Sequence, residues 1–289
     1  MLVTMKEILA EAEKDKSAIG CINTPNMEML RGIIAAAEEL NTPIIIDHAQ
    51  VHDSLIPVEQ IGPYMVEHAK KAKVPVCVHV DHGRDMSFIM RCIQAGFSSV
   101  MYDRSDLSFE ENLKAVQDFV PIAHAGGLTV EAEFDVMPSG EVDTHDGTSV
   151  DQTDLSAYMT DPQQAARFAE ETNVDAIACL IGTVHGFYNT EPKLDIQRVR
   201  DCRKAVKDDC RLVLHGASGV PESQVQQAVG AGISKINYYS YMSTAVPPKL
   251  VEFINSSKEE VFYHELAVKA EEIIKDLSKH TMQVFMNKN

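Results

Sequence analysis

Short apolar runs alternate with helical patterns from one end of the chain to the other, and no other feature constrains the fold as much. Ser17 to Asn23, Pro43 to Asp47, Val74 to Asp81, Ser99 to Asp103, Leu128 to Phe134, Ala176 to Gly182, Arg211 to Leu214 and Ile233 to Tyr239 read as strands. Between them, Met27 to Leu40, Pro57 to Lys73, Ser87 to Ala95, Phe109 to Ala123, Asp161 to Thr172, Ile196 to Val206 and Pro221 to Ala231 read as helices. About eight strand-helix units with mostly short links predict a (β/α)8 TIM barrel, which typically takes about 250 residues. An open doubly wound sheet is the competing arrangement; the strand count fits closure better, and no glycine fingerprint follows the first strand. The expected organisation is one domain over 1–289, with a C-terminal helical extension from about Val246 to Asn289. Its apolar residues, such as Leu250, Phe253, Ile254, Phe262, Leu266, Ile273 and Ile274, would cover the barrel or pair subunits.

In a barrel every strand exit opens on one mouth. The exits here read Asn23, Asp47-His48, Asp81-His82, Asp103-Arg104-Ser105, Glu131 and Glu133, His185-Gly186, His215-Gly216 and Asn237. In the third strand Val76, Val78 and Val80 alternate with Cys77, His79 and Asp81, which implies apolar packing outside and a polar lining inside. By itself the Asp81-His82 pair is a weak signal, since such a pair is more often a turn with ordinary surface hydrogen bonds. His82, His185 and His215 leave strands three, six and seven, and three neutral imidazoles with an open position are the ligand set of a catalytic zinc. The bland alternative is that each is a satisfied polar residue at a strand end. A zinc there would polarise a ketone or stabilise an enediolate. Gly186 and Gly216 let backbone amides approach an anionic group; with Ser218, Asn237 and Ser240 they suggest a phosphate cradle built without many lysines. His48 and His52, beside Asp47 and Asp53, are a weaker candidate for a second metal site. His79 is assigned to a lower layer of the barrel.

Composition removes several function classes. Lysine plus arginine number 26 against 43 aspartates plus glutamates, a formal charge of −17, which disfavours nucleic acid and anionic membrane as partners. No apolar run approaches the ~18 residues that span a bilayer, and the charged N-terminal helical pattern is unlike a signal peptide. The six cysteines lack CxxC spacing and read as reduced core thiols of a cytoplasmic protein. Asp135 to Thr160 is a long polar interval, the mark of a functional loop.

Thr183 to Asp195 (TVHGFYNTEPKLD), Leu212 to Pro221 (LVLHGASGVP), Gly232 to Asn237 (GISKIN), Val78 to Gly83 (VHVDHG) and Cys21 to Leu30 (CINTPNMEML) resemble class II, metal-dependent ketose-bisphosphate aldolases. The fructose- and tagatose-bisphosphate enzymes are the named members, and the resemblance runs in order from about Ser17 to Ser240. It implies one zinc per subunit on His82, His185 and His215. Asp81 would handle the proton of the hydroxyl formed or cleaved on the aldehyde side. Glu141, in the loop, matches the acid that takes a proton from the bound ketone. Gly186, Gly216, Ser218, Asn237 and Ser240 would hold the ketose phosphate, and Asn23 matches a substrate-facing asparagine. Asp103 and Ser105 match the aspartate and serine after strand four, and Glu133 an acid behind the ligands. The implied reaction gives dihydroxyacetone phosphate, or a related ketone, plus an aldehyde through a zinc-stabilised enediolate. The family is generally dimeric or larger, so a homodimer or homotetramer is expected; a monovalent cation is a further candidate cofactor.

The shell around this machinery departs from the family pattern. Ala49 stands where a serine is usual, Arg104 interrupts Asp-Gly-Ser, and Pro138-Ser139 replaces a glycine pair. Glu133-Phe134-Asp135 replaces Glu-Leu-Gly, Asn189 replaces a lysine, and Tyr239 precedes Ser240. The expected substrate is therefore not the standard fructose bisphosphate. Arg104 would grip an anionic far end; its competing role is a surface pair with Asp103 or Asp106. An isomerase or epimerase using zinc and Glu141, and a non-catalytic sugar-phosphate-binding barrel, are the alternative functions. Asp81 beside His82 favours cleavage.

Overall fold

The computed structural model describes residues 1–138 and 154–287. Its centre is a closed barrel of parallel strands: β1 (Ile19–Asn23), β2 (Ile44–Ala49), β3 (Val76–Gly83), β4 (Ser99–Asp103), β5 (Thr129–Glu133), β6 (Ala176–Ala178), β7 (Arg211–Leu214) and β8 (Ile233–Tyr238). Pairing of β8 with β1 closes the ring. The helices α1 (Met5–Lys14), α2 (Met27–Leu40), α3 (Val58–Lys71), α4 (Met86–Ala95), α5 (Phe109–Ala125), α6 (Pro162–Thr172), α7 (Ile196–Ala205), α8 (Glu222–Ala231), α9 (Ser240–Ser256) and α10 (Tyr263–Phe285) complete it. This is the expected (β/α)8 barrel with extra C-terminal helix. Several helices start where an acid or hydroxyl caps them: Asp85 accepts from Ser87 N, Ser108 from Glu111 N, and Asp161 from both Gln163 N and Gln164 N.

The alternation in β3 sorts its side chains as expected. Val76, Val78 and Val80 join the large apolar layer between barrel and helices, while Cys77 belongs to a smaller cluster within the barrel. That inner cluster is closed from below by α1, whose Met5, Ile8, Leu9 and Ala12 pack on Ile19, Cys21, Ile45, Cys77, Ala176 and Val213. Met5 and Leu9 are fully buried, worth about 1.5–3 kcal/mol each in apolar transfer. The helix is held in place by Val3 N, which donates to Val76 O.

Two strand ends differ from the sequence expectation for a physical reason. β6 stops at Ala178 instead of reaching Gly182, because Thr160 takes over the backbone of Leu180: Leu180 N donates to Thr160 Oγ1 and Thr160 N to Leu180 O. β3 continues past Asp81 to Gly83, pairing there with Tyr102 across a bulge. In the C-terminal region α10 lies on α2, close enough that a Cβ on Gly32 would sit 2.8 Å from the Glu271 carbonyl oxygen. Ile273 and Ile274 are buried there, whereas Ile254 and Phe262 stay exposed. All six cysteines are free and buried. Among the described residues no helix is long and apolar enough to cross a membrane.

Candidate active site

The three histidines reach one point from three strand exits. His82 is the penultimate residue of β3 and adopts φ +48°, a left-handed conformation that is uncommon outside glycine. His185 follows the displaced end of β6 and its backbone N donates to Pro138 O. His215 follows β7 directly, and Gly216 behind it has φ +67°. A Cβ on Gly216 would lie 2.3 Å from Val184 O, so only glycine lets the two exits approach this closely. Tyr188 ties the same exits together: its hydroxyl donates to Gly216 O at 2.7 Å and accepts from Val184 N at 3.2 Å.

One ring nitrogen from each histidine falls within a group no wider than 4.8 Å. His82 Nε2 and His215 Nδ1 are 3.2 Å apart. Their other nitrogens are engaged, His82 Nδ1 with Asp103 Oδ2 at 2.9 Å and His215 Nε2 with Glu131 Oε1 at 2.8 Å. If each ring donates its proton to its carboxylate, two lone pairs face each other across 3.2 Å. Such a pair needs either a shared proton or a metal cation between or beside them. Tetrahedral zinc with bonds of about 2.0–2.1 Å sets its nitrogens about 3.3 Å apart, so the spacing fits. His185 Nε2 is buried with no hydrogen-bond partner among the described residues, as a ligand nitrogen would be. Carboxylates behind the rings are the usual orienting partners of metal-bound histidines. Burial alone would disfavour charge on His82, but Asp81, Asp103 and Glu133 outweigh it and push its pKa up to about 10, a field that favours any cation at this point. His185 is pushed down to about 3 by burial and by the neighbouring imidazoles. His82, Asp103 and Glu133 form a second group of donors within the same 4.8 Å limit. Glu133 is buried, its Oε1 has no hydrogen-bond partner among the described residues, and burial raises its pKa to about 8.

Asp81 is held from both sides. Asn23 Nδ2 donates to Asp81 Oδ2 at 3.1 Å and to Asp47 Oδ1 at 2.6 Å; Asn237 Nδ2 donates to Asp81 Oδ1 at 3.0 Å. Burial opposes its charge, yet His82, His215 and Lys235 hold its pKa near 2. Lys235 was not singled out from the sequence. Its Nζ lies 2.8 Å from Glu131 Oε2 and donates to Asn237 Oδ1 at 2.6 Å, so it links the group behind His215 to the group around Asp81. Asp47 is pushed well above the carboxylate range by burial and by Asp81.

The expected phosphate residues gather at the β6, β7 and β8 exits. Gly186 has φ +81°, Ser218 is buried with Oγ accepting from Tyr239 N at 3.3 Å, and Ser240 opens α9. The Asn237 amide is turned instead toward Asp81 and Lys235. Ser105 donates its hydroxyl and backbone N–H to Asp103 Oδ1. Arg104 lies over the Tyr102 ring, donating to Tyr102 Oη and Asp106 Oδ1 at 3.3 Å each. Asp103 is paired instead by Arg84, whose Nε is 3.1 Å away, an interaction the sequence reading missed. Glu141 lies outside the described residues, as does Ser139. His48 turns outward against Phe88, 6.0 Å between ring centroids, with neither nitrogen hydrogen-bonded among the described residues, and burial lowers its pKa to about 4. His52 instead meets Tyr239 edge-on, and the pair is not among the metal-competent groups of the described residues. His79 is fully buried and hydrogen-bonded to Ser99 Oγ at 2.8 Å.

The family model for class-II fructose-bisphosphate aldolase matches residues 3–289. A sulfofructosephosphate aldolase of Alkalicoccus urumqiensis is 34% identical over 288 residues, covering 99% of this chain and 97% of that protein. The YdjI protein of Escherichia coli K12 is 36% identical over 264 residues, 91% of this chain and 90% of that one. The crystal structure of the YdjI aldolase superposes with a TM-score of 0.85 at 33% identity, over 99% of this chain and 97% of that chain. A fructose-bisphosphate aldolase of Campylobacter jejuni, 21% identical, shares the fold with a TM-score of 0.82 over 100% of this chain and 97% of its own.

Proposed function

The chain belongs to the class-II fructose-bisphosphate aldolase family and is an aldolase; from that premise we propose that it is zinc-dependent, with His82, His185 and His215 as the ligands. The observation that carries this is the 3.2 Å approach of His82 Nε2 to His215 Nδ1 while the far nitrogen of each ring is engaged by a carboxylate. Bound there, zinc would supply Lewis-acid polarisation of a substrate carbonyl. Asp81, oriented by Asn23 and Asn237, would accept the hydroxyl proton as the carbon-carbon bond breaks. Glu141 in its acid form would protonate the carbon released on the ketone side, and in condensation would remove that proton. The Gly186 and Gly216 backbones with Ser218 and Ser240 would hold the phosphate, and Asn237 would border it. Asp103, steadied by Ser105 and Arg84, and Glu131, steadied by Lys235, would fix the ligand rings; Glu133 would stand behind them.

The substrate in this reading is a ketose phosphate with a non-standard far end. Ala49, Arg104, Asn189 and Tyr239 all depart from the family pattern, and one relative is named for sulfofructose phosphate. Sulfofructose phosphate is therefore the first substrate to assay beside fructose bisphosphate. Arg104 would exchange Asp106 for the anionic far end of such a substrate. Val251, Ile254 and Phe262, exposed on and just after α9, would serve a homodimer or homotetramer.

Dihydroxyacetone phosphate in heavy water tests the half-reaction without the aldehyde. Zinc-loaded protein should remove one C–H signal in the NMR spectrum, a chelator should stop the loss, and Glu141→Ala should abolish it. Zinc binding without exchange would show that dihydroxyacetone phosphate is not the donor.

A further inference from the structure

In a chain of net charge −17, one cavity is lined chiefly by cations, and it lies at the opposite end of the barrel from the histidines. It is about 450 Å³ in volume and forms a groove, broadly open to solvent, between α1, the last turns of α7 and the start of β7. Its lining includes Lys14, Arg200, Arg203, Lys204 and Arg211 against the acids Glu13 and Asp208. Arg203 and Arg211 are 16% and 15% exposed, and both pair with the carboxylate of Glu13. Arg203 is fixed further by the carbonyls of Val206, Lys207 and Cys210. These two guanidiniums are therefore already rigid and partly desolvated, and one carboxylate cannot neutralise both. Around them Lys14, Arg200 and Lys204 are exposed and have no side-chain partner among the described residues.

We propose that this cavity is a second, non-catalytic anion site that takes a small organic bisphosphate. Arg203 is spent on holding the site together, whereas Arg211, held through its Nη1 alone, presents a pre-oriented guanidinium edge to a phosphate at little entropic cost, and the flexible rim cations can close on a second phosphate. The volume lies within the range of small-molecule pockets, about 300–1,000 Å³. No aromatic side chain is among its lining residues, and with five cations there the phosphates would supply the recognition. A ligand bound here joins α1, the plug of the barrel floor, to α7. It binds the folded chain alone and so raises the stability of the whole barrel.

Isothermal titration of the full zinc-loaded chain with 2,3-bisphosphoglycerate tests the site, beside thermal unfolding in the same ligand. Arg200→Ala/Lys204→Ala alters two exposed positions, and Ser218→Asp puts a carboxylate into the proposed phosphate cradle at the other end. The expected result is salt-sensitive binding with a raised Tm in the wild type and in Ser218→Asp, weakened on the order of tenfold or more in the double variant. No binding to the wild type overturns the proposal. So does binding that survives the double variant and disappears in Ser218→Asp, which would place the anion at the mouth.

Discussion

Replacing Lys235 by methionine tests whether the buried charges behind the histidines form one balanced unit. Lys235 and Glu131 are both fully buried, with Nζ 2.8 Å from Glu131 Oε2 and 2.6 Å from Asn237 Oδ1. The attraction between the two charges is not what the variant measures, because both gave up their hydration to reach the interior. Methionine nearly fills the same volume, so no large cavity opens. What remains is a buried carboxylate faced only by the imidazoles of His215 and His79, 2.8 and 3.7 Å away, and an Asn237 oxygen that has lost its Lys235 donor. Leaving one partner of a buried pair uncompensated costs about 3–5 kcal/mol. Changing both partners, as Glu131→Gln/Lys235→Met, leaves neutral groups and should recover most of that loss. The assay is urea unfolding of chelator-treated protein, which keeps metal affinity out of the comparison. A cost below about 1 kcal/mol for Lys235→Met, or a double variant no more stable than the single one, would refute the reasoning.

Other expectations follow from single contacts. Asp103→Asn removes the charge that holds His82 Nδ1, and competition with a chromophoric chelator should show zinc affinity lowered about 10–100-fold. Gly216→Ala drives a Cβ to 2.3 Å from a backbone oxygen at φ +67°; the expected destabilisation is about 2–4 kcal/mol, read by denaturant unfolding. Burial raises the Asp135 pKa from 3.8 to about 6, against the pull of its hydrogen bond from Thr160. The folded state thus binds this proton more tightly than the unfolded chain, so stability is fullest below about pH 4 and is lost as pH rises through 6. Relative to wild type, Asp135→Asn should gain up to about 2 kcal/mol between pH 4 and 7 and then level off; a difference independent of pH in thermal unfolding would contradict the assignment.

How far the sequence could be read depended on the range of the interactions involved. Local periodicity sorted Val76, Val78 and Val80 from Cys77 because a regular strand alternates by construction. The histidines could be read because a barrel sends every strand exit to one mouth, whatever the details of packing. Lys235 escaped notice where that regularity breaks. In β8, Ile233 and Ile236 both face the outer layer, a step of three, since the pairing with β7 skips Ser234: Leu212 faces Ile233 and Val213 faces Lys235. That bulge turns a lysine inward from a stretch that reads as an ordinary strand end. The early end of β6 depends in the same way on Thr160, some twenty positions back along the chain. Amphipathicity announced that α1 has an apolar face, but a moment along one helix does not say which surface will receive it. Only the closed ring, with Ile19, Cys21, Ile45, Cys77, Ala176 and Val213 gathered inside it, creates the floor that α1 fills. The ligand residues come from local pattern plus barrel geometry, whereas Arg84, Lys235 and Glu131, which hold those ligands or their partners in place, are set by pairings across strands.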